Sequence, residues 1–187
     1  MPDAKRREIL VAAASLMGGA GLVVASIPFV ESLQPSALAR ARGNPVDVDI
    51  ATLAVGELRT VAWRGKPVWL MRRTDAMVRA LRAPNYHLSD PLSRRSEQPA
   101  SCLNPTRSER PDLFLAVGIC THLGCTPTLR LSDPVLNAEL QAPGGFVCPC
   151  HGSRFDLAGR VVKNVPAPTN LDIPDYRFTS ATTLRIG

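Results

Sequence analysis

Two short clusters carry the side chains able to hold a metal: Cys120-Thr121-His122-Leu123-Gly124-Cys125 and, after a gap of 22 residues, Cys148-Pro149-Cys150-His151-Gly152-Ser153. Each offers one Cys and one His at ligand spacing plus a further Cys, so together they can hold a metal centre and also close a disulfide. Two thiolates and two imidazoles suit either a tetrahedral zinc or a 2Fe-2S cluster with Cys on one iron and His on the other. Zinc knuckles usually supply two Cys, or a His pair on a helix. Here each knuckle is mixed, Cys-x-His in the first and Cys-x-x-His in the second. The mixture favours iron and sulfur.

Both clusters resemble, without a change, the two cluster-binding loops of the Rieske iron-sulfur proteins, and the match to the subunit of the cytochrome bc complexes is close. The resemblance implies one 2Fe-2S cluster, with Cys120 and Cys148 on one iron and His122 and His151 on the other. It also implies that Cys125 and Cys150 form a disulfide tying the loops together. Rieske oxygenases and their soluble ferredoxins typically lack that second Cys pair, which points to the high-potential branch. Val165-Pro166-Ala167-Pro168 is similar to the family's Gly-Pro-Ala-Pro cover, with Val165 in place of Gly, and Pro166 and Pro168 stiffen it. Leu123 corresponds to the apolar tip that docks into a quinol pocket.

One position departs from the family pattern. Many members have a Tyr two residues after the Ser of loop two, whose hydroxyl donates to a ligand sulfur; Ser153-Arg154-Phe155 places Phe there. Ser153 keeps its half of the pattern. Hydrogen bonds to cluster sulfur stabilise the reduced, more negative state, so Phe155 implies a moderately lowered potential. Two ferric ions, two sulfides and two thiolates carry no net charge, whereas four thiolates leave the oxidised cluster dianionic. The neutral form accepts an electron more readily. An imidazole ligand also has a second ring nitrogen whose acidity depends on the iron's oxidation state, so His122 or His151 is expected to contact quinol and accept its proton.

The 187 residues, 45% of them hydrophobic, leave room for one domain and an appendage. Residues 1–8 form a basic N-terminus in which Arg6-Arg7 resembles a twin-arginine export signal, although Lys5 precedes the pair. Ile9 to Val30 carries no charge and is long enough to span a bilayer of about 30 Å, with Pro28 near its outer end as a bend or stop. Lys5, Arg6 and Arg7 keep the N-terminus cytoplasmic and send the rest across a bacterial inner membrane into the periplasm. Ala37-Leu38-Ala39 has the form of a signal-peptidase site, but the apolar run exceeds a signal core, so a retained single-pass anchor is favoured. Residues 31–45 read as a flexible tether.

The head, 46–187, reads as mainly β, an antiparallel Rieske-type sandwich with the cluster-binding part at about 118–168. Strands are expected at Val46 to Ile50, Leu58 to Trp63, Pro67 to Arg72, Leu113 to Val117, Tyr176 to Thr179 and Thr182 to Ile186. Only Asp75 to Arg82 has helical character, with Thr74 or Asp75 as cap. Trp63 and Trp69 read as core aromatics. Pro84 to Asp112, polar and Pro-rich, reads as a surface excursion holding a plain loop histidine, His87, and a free or buried thiol, Cys102.

A net charge of +6 is spread through the chain without a basic run long enough for nucleic acid, and no phosphate loop, nucleophile triad or repeat is present. The resemblance implies an electron-transfer subunit of a proton-translocating quinol:cytochrome c oxidoreductase. Its partners are then a cytochrome b subunit, a c-type cytochrome, ubiquinol and membrane lipid, in a dimeric multi-subunit complex. Two other readings fit part of the pattern: the Rieske small subunit of a periplasmic oxidase such as arsenite oxidase, and a membrane-tethered zinc-binding module.

Overall fold

The strand-like runs of the head pair into three antiparallel sheets, and a single long helix stands apart in sequence before them. The structure, a computed structural model, describes residues 2–36 and 43–187. Met1 and residues 37–42, which hold the Ala37-Leu38-Ala39 sequence and the middle of the expected tether, lie outside the described residues. The chain divides into two compact units, Met1–Arg42 and Gly43–Gly187.

The first unit is helix α1, Pro2–Ser32. Within its stretch Asp3–Ser32 an 18-residue window reaches a mean hydropathy of 2.0. At 1.5 Å per residue the helix is long enough to cross a hydrocarbon core of about 30 Å. Pro28 does not stop it at the position read from sequence; the helix runs on to Ser32. A proline inside a helix removes one donor, here the bond to the Val24 carbonyl, and the final turn survives that loss.

The second unit contains β1 (Val46–Asp49), β2 (Leu58–Trp63), β3 (Lys66–Arg72), α2 (Asp75–Arg82), β4 (Leu113–Val117), β5 (Thr128–Arg130), α3 (Pro134–Leu140), β6 (Gly145–Val147), β7 (Arg154–Phe155), β8 (Tyr176–Phe178) and β9 (Thr183–Ile186). The sheets are ordered β1-β9-β8, β2-β3-β4 and β5-β6-β7. All six strands expected from sequence are present, and α2 starts behind Thr74, whose hydroxyl accepts the Met77 N–H at 3.2 Å. The third sheet and α3 were not foreseen. They belong to the part of the chain that carries both metal-ligand clusters.

Phe146 of β6 joins the third sheet to the core. Its ring stacks on Trp69 of β3 with centroids 5.0 Å apart and meets Phe114 of β4 at 5.8 Å. Trp69 therefore is a core aromatic, whereas Trp63 is only half-buried, with Arg64 lying 4.5 Å over its ring. Gly118, just after β4, is required by this packing, since a Cβ there would lie 2.3 Å from the Trp69 ring.

The segment 84–112 corrects the expectation of a surface excursion. Leu88, Asp90, Ser93, Cys102, Thr106, Arg107 and Ser108 are all buried. The Arg107 side chain donates to the carbonyls of Ala158, Gly159 and Leu171 at 3.1, 3.4 and 2.8 Å and to Gln98 Oε1 at 2.7 Å. Burial lowers its pKa to about 10, with Asp156 the main charge acting the other way. A buried cation persists where carbonyl oxygens replace its hydration, and that substitution inverts the usual reading of Arg as surface. Asp90 binds the same segment together, accepting the N–H groups of Arg94 and Arg95 and the Ser96 hydroxyl. Cys102 is a buried free thiol, its Sγ 3.6 Å from the Tyr176 hydroxyl.

Candidate metal centre

The two clusters fold into loops with the same hydrogen-bond scheme. In loop one the Cys120 N–H donates to the Cys125 carbonyl at 2.7 Å, and the Gly124 N–H to the Cys120 carbonyl at 3.1 Å. In loop two the Cys148 N–H donates to the Ser153 carbonyl at 2.8 Å, and the Gly152 N–H to the Cys148 carbonyl at 3.0 Å. Each loop has its glycine four residues after its first Cys, at φ +86° for Gly124 and +71° for Gly152. A Cβ would meet nothing at either position, so the left-handed backbone, not lack of space, calls for glycine.

Cys125 and Cys150 form a disulfide across the loops, with Cα atoms 6.5 Å apart. The clamp leaves Cys120 and Cys148 as free cysteines, each only 2% exposed. The His122 and His151 rings meet edge to face with centroids 4.8 Å apart; His122 is half-buried and His151 exposed. A dry sulfur pair thus sits under a more open imidazole pair. Leu123 beside them is 72% exposed.

Burial pushes the Cys120 thiol above its ordinary pKa, and neighbouring Cys148 adds to this, while the His122 N–H and the Ser153 hydroxyl pull the other way. A thiol held protonated by burial, as Cys120 is, becomes a good ligand once a cation supplies the missing positive charge. Ser153, fully buried, also accepts the Ala167 N–H at 3.0 Å. Thr121 Oγ1 donates to the Thr169 carbonyl at 2.8 Å. Loop two is thereby fastened to the Val165-Pro166-Ala167-Pro168 cover and loop one to Thr169 just after it; within the cover Ala167 is buried and Pro166 and Pro168 are exposed. Neither tie was read from sequence, because a hydroxyl's partner across such separations has no local signature. Phe155 is fully buried opposite Phe146 in β7. His87 lies in an exposed loop and is not brought to the centre.

The donor set decides what group fits. Among the described residues, the one trio of such ligand atoms lying within 4.8 Å of one another is Cys125, Cys148 and Cys150, and two of those sulfurs are spent on the disulfide. The four expected ligands are instead segregated into a buried sulfur pair and a more exposed imidazole pair. A sulfur pair and a nitrogen pair suit two metal ions held side by side.

This arrangement defines a Rieske-type iron-sulfur protein, and residues 103–177 match the family described as "Rieske [2Fe-2S] domain". Residues 1–36 match the family described as "Ubiquitinol-cytochrome C reductase Fe-S subunit TAT signal". The chain is 53% identical over 182 residues to the ubiquinol-cytochrome c reductase iron-sulfur subunit of Allochromatium vinosum, covering 97% of this chain and 88% of the relative. The subunit of the same name from Blastochloris viridis is 37% identical over 187 residues, covering 99% of this chain and 94% of that one. That of Rhodospirillum rubrum is 37% identical over 186 residues, covering 99% and 93%. The chain belongs to the family of ubiquinol-cytochrome c reductase iron-sulfur subunits. It is the Rieske electron-transfer subunit of a cytochrome bc complex, an oxidoreductase, and its cofactor is one 2Fe-2S cluster. That membership displaces the zinc module and the periplasmic-oxidase subunit.

Proposed function

We propose that this chain takes one electron and one proton from ubiquinol and passes the electron to a c-type cytochrome, within a dimeric, proton-translocating complex built on a cytochrome b subunit. Cys120 and Cys148 would hold one iron and His122 and His151 the other. When bound, the 2Fe-2S group supplies a one-electron acceptor that is uncharged when oxidised. The observation that carries the reading is the asymmetry of the site: two buried cysteines beneath an exposed His151 and a half-buried His122.

Each neighbouring residue then has a part. Leu123, exposed at the tip of loop one, seats the imidazole edge against the apolar wall of a quinol pocket. The ring nitrogen of His151 or His122 that is not on iron accepts the hydrogen bond of the quinol O–H and takes its proton. Ser153 and the Pro166-Ala167-Pro168 cover keep water from the sulfur side, which supports a raised potential. Phe155 omits the hydroxyl that would raise it further. The family match over 1–36 and the apolar helix α1 support a membrane-anchored subunit. Lys5, Arg6 and Arg7 before that helix favour a single pass of the bacterial inner membrane with the head in the periplasm.

Low-temperature electron paramagnetic resonance of the dithionite-reduced protein tests the reading. The reduced protein is expected to give a paramagnetic iron-sulfur signal that Cys148→Ser or His151→Ala abolishes. Its midpoint is expected to fall by about 59 mV per pH unit at alkaline pH, one proton for one electron. A midpoint flat from neutral to strongly alkaline pH would exclude proton acceptance by the ligand imidazoles.

A further inference from the structure

Loop two is gripped by a side chain that no ligand motif includes. Arg154 stands at the start of β7, in register with Val147, the residue before Cys148. Its Nε and Nη2 donate to Oε2 and Oε1 of Glu139 at 2.6 and 2.8 Å, a two-point fork, while Nη1 donates to the Gly152 carbonyl at 3.3 Å. The pair is mostly withdrawn from solvent, with side chains 35% and 25% exposed. Paired guanidinium and carboxylate groups held in this planar geometry fix direction as well as distance.

Glu139 is itself on a firm mount. Asp133 caps α3 by accepting the Val135 and Leu136 N–H groups at 3.1 and 3.0 Å, and Asn85 Nδ2 donates to the Leu140 carbonyl at 2.8 Å at the other end. Leu136 and Leu140 are buried with Val162, and Val147 and Val165 of the proline cover pack against them. One short helix thus touches the cover through apolar contact and loop two through the charged fork.

Among the described residues no side-chain hydrogen bond reaches the His151 ring, so apart from its edge contact with the His122 ring its orientation depends on the backbone to either side. Cys150 on one side is fixed by the disulfide. Gly152 on the other is held at its N–H by the Cys148 carbonyl and at its own carbonyl by Arg154. We infer that Glu139 and Arg154 are positioning residues: the fork from α3 holds the Gly152 peptide and so sets the direction in which His151 presents its ring. The inference rests on the proposed role of His151 as a ligand.

The test uses the full-length, cluster-loaded protein with Arg154→Lys, which keeps the charge but cannot bridge both Glu139 oxygens and Gly152, with Glu139→Gln, and with the two combined. The readouts are the line shape of the reduced paramagnetic signal, visible circular dichroism of the oxidised protein, and hydrogen exchange at the Gly152 amide. Each single variant is expected to shift both spectra and to speed Gly152 exchange about tenfold, and the double variant to add nothing further, as for residues acting as one unit. Unchanged spectra and exchange in Arg154→Lys would overturn the inference, including where Glu139→Gln still shifts the midpoint, since the pair would then act through charge alone. In a variant that does not retain the cluster, Gly152 exchange alone decides. A native protein without the paramagnetic signal would instead sink the proposed function, leaving the exchange result to stand separately.

Discussion

Replacing both clamp cysteines, Cys125→Ala with Cys150→Ala, isolates what the disulfide contributes. The bridge closes a loop of sequence separation 25, and the chain-entropy relation for that length gives about 3.5 kcal/mol at 25 °C. Little of this is offset or enlarged by packing, because Cys150 is exposed and Cys125 only half-buried, so neither truncation opens a core cavity. The loop hydrogen bonds give no substitute, since those closing Cys120 to Cys125 and Cys148 to Ser153 each stay within their own loop. Unfolding releases the cluster from native and variant protein alike, so its binding free energy largely cancels in the difference. With a guanidinium slope of roughly 4 kcal/mol/M, the midpoint should fall by about 0.9 M. Guanidinium titration without reductant, followed by far-ultraviolet and visible circular dichroism together, measures it. A midpoint within about 0.1 M of the native protein's would refute the reasoning.

Three further outcomes are expected. Phe155→Tyr should raise the midpoint potential by about 50 mV in an anaerobic redox titration, as a hydroxyl in this fully buried position donates to ligand sulfur; an unchanged or lower value would remove Phe155 as a tuning residue. Gly118→Ala should lower the thermal midpoint markedly, because its Cβ would lie 2.3 Å from the Trp69 ring and push it off Phe146, and near-ultraviolet circular dichroism should show the change in Trp69 packing. For Asp90, burial would raise the pKa, but the Arg95 and Arg94 N–H groups and the Ser96 hydroxyl outweigh it, leaving the pKa below its ordinary 3.8. A carboxyl whose folded pKa is depressed adds stability above its unfolded pKa and loses it as pH falls through the folded one. Asp90→Asn should therefore be less stable at neutral pH, a gap that begins to narrow near pH 4 and closes only as the pH falls through the lower folded pKa in denaturant titrations.

What the sequence revealed depended on where the information was local. The ligand loops could be read because Cys120, His122, Cys148 and His151 stand at short fixed spacings, and five of the six outer strands because they run four or more residues, while three-residue β8 showed itself by its two aromatics, Tyr176 and Phe178. Strands β5, β6 and β7 have three, three and two residues, too few for any period to appear. Helix α3 had a signal that went unused: Asp133 as cap, Pro134 at the first turn, and Leu136 and Leu140 one helical turn apart. Arg107 had none, for its charge is buried only because distant carbonyls converge on it, and Asp90, whose amide and hydroxyl partners lie four to six residues on, carried too weak a local pattern to mark it as buried. The ties from Ser153 to Ala167 and from Arg154 to Glu139 are equally products of the folded chain.

The lodging of Arg107 among the carbonyls of Ala158, Gly159 and Leu171 bears on how small a redox module can be cut from this chain. A fragment trimmed to the two ligand loops and their sheet would leave three acceptors facing an empty socket between the second loop and the proline cover. The long arm that brings the guanidinium is therefore part of the smallest portable unit, and a transplant into another scaffold must carry it along.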